Sequence, residues 1–307
     1  MSLLVVGTVA FDAIETPFGK TDKIVGGAAT YISVSASYFK KNINLISVVG
    51  DDFPNATIEM LKEKSVNTDG LQIKEGEKTF FWSGKYHADM NTRDTMDTQL
   101  NVLSNFDPII PESYQDCEYL MLGNLMPGLQ QKVIKGLKNR PKLIVLDTMN
   151  FWIEVALADL LDTMKLIDVL TINDEEARLL TGEYSLVKAA RKILTMGPKY
   201  LIIKKGEHGA LLFHEKEVFF APALPLEEVF DPTGAGDTFA GGFIGYISST
   251  NDISFENMKR AVIHGSAMAS FCVEKFGLER IEGLSEDEID GRIQEFVNLV
   301  QFEITLV

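Results

Sequence analysis

The stretch from Asp231 to Phe243 contains the residues best suited to chemistry. It reads Asp-Pro-Thr-Gly-Ala-Gly-Asp-Thr-Phe-Ala-Gly-Gly-Phe, so turn-forming residues lead into a run of small apolar ones. This pattern predicts a helix that begins near Gly234, with free backbone N–H groups and the positive end of the helix dipole at its start. Glycines at 234 and 236 would let a ligand approach the backbone closely. The stretch therefore predicts a site for an anion such as phosphate.

Asp237 lies in the first turn of this predicted helix, beside the predicted anion site. A carboxylate there would oppose phosphate binding unless it had another task. One such task is to accept the proton of a hydroxyl group that attacks phosphorus. The structural alternative is that Asp-Pro-Thr-Gly forms an ordinary turn and that aspartate serves as an ordinary N-terminal helix residue.

Composition and charge limit the class of protein. The 307 residues include 29 basic and 44 acidic side chains, a net charge of −15, which argues against binding to the nucleic-acid backbone. Cys117 and Cys272 lie in apolar segments, where buried free thiols are expected. The apolar run from Met1 to Val6 is too short for a signal peptide, and no stretch has the length of a membrane span. These features predict a cytoplasmic protein with no membrane partner.

Short apolar runs alternate with helical patterns along much of the chain, beginning with a strand at Leu3 to Gly7 and continuing regularly after Phe106. This order predicts a mostly parallel sheet with helices on both faces. Asp12 lies just beyond the first strand, and the other strand ends are followed by Gly123-Asn124, Asp147, Asn173 and Gly206. Because ligands bind at the carboxyl edge of such sheets, these residues are predicted to lie at one site.

Residues 71 to 103 show no helical pattern. Strand formers cluster from Thr79 to Tyr86, and Thr98 to Leu103 is a further strand candidate. Between them lies the polar cluster Asp89 to Asp94, which contains Arg93. This cluster is either a solvated loop or a segment that reaches into a binding pocket.

The thirteen residues from Asp231 to Phe243 closely resemble the signature of the ribokinase-like carbohydrate kinases, also called the phosphofructokinase-B family. The resemblance implies an α/β fold, a three-layer α/β/α sandwich with a mostly parallel central sheet. It also implies one domain over residues 1–307, with a small β lid formed by roughly 13–25 and 71–104. The activity implied is ATP- and Mg²⁺-dependent phosphorylation of an alcohol hydroxyl. The family roles fall on Asp237 as catalytic base and on the backbone amides of Gly234, Ala235 and Gly236 as the anion hole.

The resemblance also implies an acceptor site. Asp12 would hold hydroxyl groups of the acceptor, and Gly26-Gly27 matches a family glycine pair at the acceptor site and lid hinge. Where many sugar kinases of the family have a sugar-binding asparagine, this chain has Tyr31. Tyr31 is either a recognition residue for a larger or aromatic acceptor or a packing residue. Arg93 would reach the acceptor from the lid.

The nucleotide site implied by the family begins with an Asn-x-x-Glu motif, here Asn173 and Glu176, with the glutamate organising Mg²⁺ through water. The structural alternative is a helix N-terminal cap. Remaining assignments to ATP are Lys205, Gly206, Gly209, Thr233 and Ser266, although a simple hairpin turn would also explain the two glycines. Asp231 and Gly277 match the segments between which many family members bind potassium.

Motifs of other nucleotide-binding classes are absent from the sequence. Gly123 and Gly128 have the P-loop spacing, but Leu129-Gln130 follows, and Phe239 stands where a dinucleotide fingerprint needs a third glycine. The leading interpretation is a kinase for a small sugar or sugar acid, similar to fructokinase, ribokinase or 2-keto-3-deoxygluconate kinase. The alternative is a nucleoside kinase, suggested by Tyr31 and by the aromatic run at 80–82. A sugar phosphate would need cations such as Arg93 and Lys85. A non-catalytic regulator and a homodimer through the lid are further hypotheses.

Overall fold

The structure is a computed structural model that describes residues 2–301. The strands are β1 (Leu3–Val6), β2 (Ala10–Thr16), β3 (Gly19–Lys20), β4 (Ile24–Gly26), β5 (Ile43–Gly50), β6 (Val66–Lys74), β7 (Phe81–Tyr86), β8 (Arg93–Gln99), β9 (Tyr119–Leu122), β10 (Leu143–Asp147), β11 (Val169–Asn173), β12 (Tyr200–Lys204), β13 (Ala210–His214) and β14 (Glu217–Ala221). The helices are α1 (Ala28–Ala36), α2 (Asn55–Glu63), α3 (Pro127–Gly136), α4 (Asn150–Val155), α5 (Leu157–Met164), α6 (Asp174–Thr181), α7 (Leu186–Leu194), α8 (Ala235–Thr250), α9 (Phe255–Cys272) and α10 (Glu286–Val300).

The large sheet has the strand order β14-β13-β12-β11-β10-β9-β1-β5-β6. In the order above, neighbouring strands from β12 to β6 are parallel, whereas β13 and β14 are added beyond β12 as antiparallel strands. The parallel strands direct their carboxyl ends to one edge of the sheet. The predicted mostly parallel sheet is confirmed.

Helices cover both faces of this sheet because its strands alternate between two hydrophobic clusters. Leu3 and Val5 of β1 face one cluster together with residues of α1, α8 and α9. Leu4 and Val6 face the other, together with residues of α3, α5, α6 and α7. The fold is therefore the predicted three-layer α/β/α sandwich. Cys117 and Cys272 are buried free thiols, as expected.

A small sheet contains β3, β2, β7 and β8 in that order, with β4 also paired to β2. The predicted lid boundaries need two corrections. Residues 71–74 lie in β6, which pairs with β5 in the large sheet. Thr98 to Leu103 is not a strand, because β8 ends at Gln99 and Asn101–Asn105 forms a 3₁₀ turn that buries Val102. Every residue of β8 is exposed, so an apolar pattern could not reveal this polar strand.

Within residues 2–301, no helix has both the length and the apolar character needed to cross a membrane.

Candidate active site

The N-terminus of α8 has the backbone geometry predicted for an anion site. Gly234 is the N-cap residue and has φ 75°, in the left-handed region that favours glycine. No described side chain caps this end of the helix. The N–H of Ala235 donates to the carbonyl of Pro232 at 3.2 Å, so this predicted anion-hole donor already has a partner. The geometry of a helix start leaves the amides of Gly236 and Asp237 available to a ligand.

Asp237 lies at this helix start, among other charged groups. The residue is open to the cleft on one side, but the surrounding protein removes much of the water from its carboxyl group. Burial, together with the nearby carboxylates of Asp147 and Asp12, raises the pKa of Asp237 to about 7, although Lys204 and Arg93 act to lower it. A carboxyl group with a pKa near 7 is suited to accept a proton at neutral pH.

Asp12 is buried on β2 against the Gly26-Gly27 pair. A Cβ atom at Gly26 would lie 1.9 Å from a carboxylate oxygen of Asp12, so only glycine leaves room for this side chain. Gly27 has φ 92° and would meet the carbonyl oxygen of Thr8 at 2.6 Å. Burial and the charge of Asp231 raise the pKa of Asp12 to about 7. The glycine pair therefore shapes the position of Asp12.

Tyr31 packs under the helix start. Its ring carbons lie 2.5–2.6 Å from the position that a Cβ atom of Gly234 would occupy, and the residue is 1% exposed. Its hydroxyl group is buried without a hydrogen-bond partner among the described residues. This geometry favours the packing interpretation of Tyr31 over contact with the acceptor.

We expect Tyr31→Phe to leave the Michaelis constant for the acceptor unchanged. The variant should unfold at the same or a slightly higher denaturant concentration, because leaving a buried hydroxyl unpaired costs about 1 kcal/mol or more. Steady-state kinetics and urea unfolding of the two proteins check both statements. A tenfold rise in the acceptor KM would show instead that the hydroxyl group binds the acceptor.

Asn173 and Glu176 form a reciprocal N-terminal cap on α6. The Asn173 side chain accepts from the Glu176 N–H at 2.7 Å, and Glu176 Oε2 accepts from the Asn173 N–H at 2.8 Å. Glu176 is buried, and this burial raises its pKa to about 7 although Lys204 acts to lower it. The helix cap, which was the structural alternative for this motif, is therefore present. It uses Oε2 of Glu176 and leaves Oε1 outside the cap.

Lys204 and Asp147 form an ion pair between the ends of β12 and β10. The ammonium of Lys204 lies 3.1 and 3.0 Å from the two carboxylate oxygens of Asp147. Asp147 was expected at this edge, whereas Lys204 was not among the predicted site residues. A signal was available, since this lysine ends an otherwise apolar strand whose carboxyl end lies at the same edge.

The turn after β12 contains the predicted nucleotide residues Lys205, Gly206 and Gly209. It is a hairpin to β13, closed by a hydrogen bond from the Lys205 N–H to the Gly209 carbonyl at 2.8 Å. Gly209 has φ 78°, and a Cβ atom there would lie 2.1 Å from the Ala221 carbonyl oxygen. The position of a Gly206 Cβ is 2.6 Å from the side-chain oxygen of Asn91. The β7–β8 turn of the small sheet thus reaches across the cleft to this hairpin.

Asp231 connects the segment before α8 to the turn at Gly277. It accepts hydrogen bonds from the N–H of Thr233 at 2.8 Å and of Gly277 at 3.0 Å. Burial raises the pKa of Asp231. Thr233 is also bonded to the hydroxyl of Tyr86 at 3.2 Å. Ser266 is half-buried on α9, and its role stays a prediction.

The small sheet directs one face toward this edge. Asp12 on β2 is the register partner of Trp82 on β7, so both side chains lie on that face. The Trp82 ring lies over Gly84, 2.1 Å from the position of an added Cβ atom. Arg93 on β8 lies 5.9 Å from the Trp82 ring and is near enough to Glu176 and Asp237 to lower their pKa values. Lys85, on the opposite face, forms an ion pair with Glu15 at 2.6 Å.

The fold and this edge define a class: α/β phosphotransferases with a glycine-rich helix start and an adjacent aspartate. The model of the family described as pfkB family carbohydrate kinase matches residues 2–282. The chain belongs to this family, whose members transfer phosphate to hydroxyl acceptors. It is therefore a phosphotransferase with an alcohol group as acceptor, which argues against the non-catalytic regulator.

Relatives of known description differ in their acceptor. The chain is 32% identical over 250 residues to a cytidine kinase of Thermococcus kodakarensis, an alignment that covers 80% of this chain and 87% of the relative. It is 25% identical over 253 residues to a 2-dehydro-3-deoxygluconokinase of Thermoproteus tenax, covering 75% of each. A putative ribokinase II from Escherichia coli, solved in complex with ATP and Mg²⁺, has a TM-score of 0.78 at 21% identity and covers 95% of this chain and 99% of its own.

Proposed function

We propose that this protein transfers the γ-phosphoryl group of ATP to a hydroxyl group of a nucleoside, with cytidine as the first acceptor to test. The observation that carries the proposal is the pairing of Trp82 with Asp12 on the inner face of the small sheet. An aromatic ring can stack on a nucleobase, and a carboxylate can accept from two hydroxyl groups of a ribose. The similarity to a cytidine kinase supports the same choice.

In the proposed reaction, the carboxylate of Asp237 accepts the proton of the attacking hydroxyl group. The new bond joins that oxygen to the γ-phosphorus, and the bond from phosphorus to the ADP oxygen breaks. Since the transition state of such transfers is loose, positioning and charge stabilisation contribute most. In this proposal the free amides at the start of α8 stabilise the phosphoryl oxygens, each such donor contributing roughly 3 kcal/mol. Asp12 holds the acceptor, and closure of the small sheet as a lid excludes water.

The residues present fit Mg²⁺ bound mainly by phosphate oxygens and water. Within residues 2–301, no group of three acidic, histidine or cysteine side chains could hold a metal by itself. Magnesium in kinases keeps several waters and takes only one or two carboxylates, and Glu176 Oε1 can hold such a water. When bound, Mg²⁺ supplies positive charge to the phosphates of ATP. The hairpin at Gly206, with Asn173, Thr233 and Ser266, is proposed to surround the nucleotide.

The residues at Asp231 also fit a monovalent cation. Asp231 is fully buried, and its carboxyl group lies near Asp12, another buried carboxylate. The described residues give Asp231 hydrogen bonds from amides but no ion pair with a lysine or arginine. A potassium ion between this segment and Gly277 would offset that buried charge. Repeating the kinase assays with choline in place of potassium tests this assignment.

Substitution of Trp82 tests the acceptor class. We expect Trp82→Leu to raise the KM for cytidine by roughly 10- to 100-fold, because stacking of a base contributes about 1–3 kcal/mol. The matched control is Phe81→Leu, since Phe81 is the next residue but packs against the core. It should leave the ratio of kcat/KM between cytidine and a sugar acid unchanged. If Trp82→Leu also kept the wild-type ratio of kcat/KM between cytidine and a sugar acid, the stacking role would be contradicted.

A 2-keto-3-deoxy sugar acid is the second candidate acceptor. The guanidinium of Arg93 on β8 is near enough to Asp237 to lower its pKa, and an arginine can bind a carboxylate through two parallel hydrogen bonds. ADP production with nucleosides and with 2-dehydro-3-deoxygluconate separates the two. Turnover of the sugar acid without turnover of any nucleoside would select this candidate.

A further inference from the structure

The ammonium of Lys204 has one N–H more than its carboxylate partner uses. An ammonium carries three donors, and both oxygens of Asp147 lie within hydrogen-bond distance of Lys204 Nζ. Among the described residues, no third side chain or carbonyl accepts from this nitrogen. The Lys204 side chain is 17% exposed and that of Asp147 is 7% exposed. One donor of a largely buried cation is therefore available to a ligand.

Gly236 leaves this ammonium beside the start of α8. A Cβ atom at Gly236 would lie 3.0 Å from Lys204 Nζ and 3.7 Å from Cε. A glycine at the second residue of the helix thus lets the cation approach the amide of that residue. Amides there point away from the helix toward the incoming anion. The cation therefore lies beside the free amides at the start of α8.

The carboxylates near Lys204 carry more negative charge than its one ammonium group neutralises. This balance favours an anionic ligand that arrives with a cation of its own. Burial alone would lower the pKa of Lys204, but the carboxylates of Asp147, Glu176 and Asp237 raise it, so the side chain stays protonated. An ion pair that served only to stabilise the fold would need just one of these carboxylates. Here Lys204 instead interacts electrostatically with both the proposed base, Asp237, and the proposed magnesium-side residue, Glu176.

We propose that the Lys204 ammonium binds a non-bridging oxygen of the phosphoryl group during its transfer, and that Asp147 is a positioning residue that holds the ammonium in place. Lys204 stays protonated throughout: the proton of the acceptor goes to Asp237, and the electrons of the broken bond go to ADP. As a charged donor in a cleft that excludes water, Lys204 would stabilise the transition state more than bound ATP. The proposal depends on phosphoryl transfer but not on which acceptor is used.

The test compares Lys204→Met with Lys199→Met. Lys199, which is exposed, pairs with buried Asp168 near the opposite end of β12, and Asp168 also pairs with Arg140. It is therefore a second lysine–aspartate pair, far from the site. For each protein, kcat is measured with whichever acceptor turns over, and calorimetry measures binding of MgADP with and without aluminium fluoride, which mimics the transferring phosphoryl group. We expect Lys204→Met to lower kcat by about 10²- to 10³-fold. The factor by which aluminium fluoride tightens MgADP binding should fall by a similar amount. MgADP affinity should change less than threefold, and Lys199→Met should behave like wild type.

A purely structural role for Lys204 would give a different result. Affinity for MgADP would then fall as much as affinity for the fluoride complex, or kcat would stay within threefold of wild type. Either outcome overturns the proposal. Because Lys204→Met leaves Asp147 buried without its cation, the double variant Asp147→Asn/Lys204→Met is measured as well. It removes both charges, and the selective loss of fluoride affinity is expected there too.

Discussion

Replacing Asp237 by Asn is expected to reduce kcat by roughly 10³-fold without unfolding the protein. The substitution keeps the size of the side chain but removes the group that would accept the proton of the acceptor, and general bases of this kind contribute about 10²- to 10⁴-fold. Asp237 is also surrounded by Asp147 and Asp12, which raise its pKa together with burial. The neutral amide therefore relieves repulsion at this edge. ADP production and thermal unfolding measure the two effects.

The pH dependence of the same pair of proteins gives an internal control. Because the pKa of Asp237 is raised to about 7 in the folded protein, from an ordinary value of 3.8, its carboxylate form lowers stability progressively from about pH 4 to pH 7. Because burial also raises the pKa values of Asp12 and Glu176 to about 7, the wild-type rate should fall at least tenfold per pH unit below 7. Asp237→Asn should show a dependence that is shallower by one proton and should be at least as stable as wild type at pH 8. A variant that retains a tenth of the wild-type kcat would contradict the role of Asp237 as general base.

Gly234→Ala is the second substitution with a large expected effect. At φ 75° an alanine is strained by about 1–2 kcal/mol, and its Cβ would also lie 2.5 Å from the ring of Tyr31. Since the buried ring cannot move freely, the start of α8 must shift. Its amides would then miss the phosphoryl oxygens. We expect kcat/KM to fall at least about 10²-fold, the loss typical of removing one such donor.

Gly182→Ala separates backbone strain from displacement of the helix start. Gly182 has φ 71°, nearly that of Gly234, but a Cβ atom there would have nothing within 4 Å. This control should lose stability by about 1 kcal/mol and keep its activity. Denaturant unfolding and steady-state kinetics of both variants provide the comparison. Equal activity in the two variants would show that the start of α8 does not need its present position.

Local chemistry in the sequence predicted the parts of the site that depend on neighbouring residues. Gly234 and Gly236 at the start of α8 are near neighbours in the sequence, and so are Asn173 and Glu176 at the start of α6. Each pair belongs to a short motif that by itself predicts how the helix begins.

The parts that were missed depend on contacts between distant segments. Lys204 meets Asp147 across 57 residues, and only the order of the strands brings them together. The position of Tyr31 under Gly234 likewise follows from the packing of α1 against α8. Residues 71–74, the end of β6, fell within the predicted lid because the absence of a helical pattern does not reveal which sheet a segment joins.

The most direct test of the proposed function is a measurement of both products with cytidine as acceptor. Purified protein is incubated with cytidine, ATP, Mg²⁺ and potassium, and ³¹P NMR follows ADP and any nucleoside monophosphate. We predict that one cytidine monophosphate forms for each ADP, and that neither forms with Asp237→Asn. ADP formed from wild type without a phosphorylated nucleoside, or cytidine left untouched while a sugar acid is phosphorylated, would contradict the proposal.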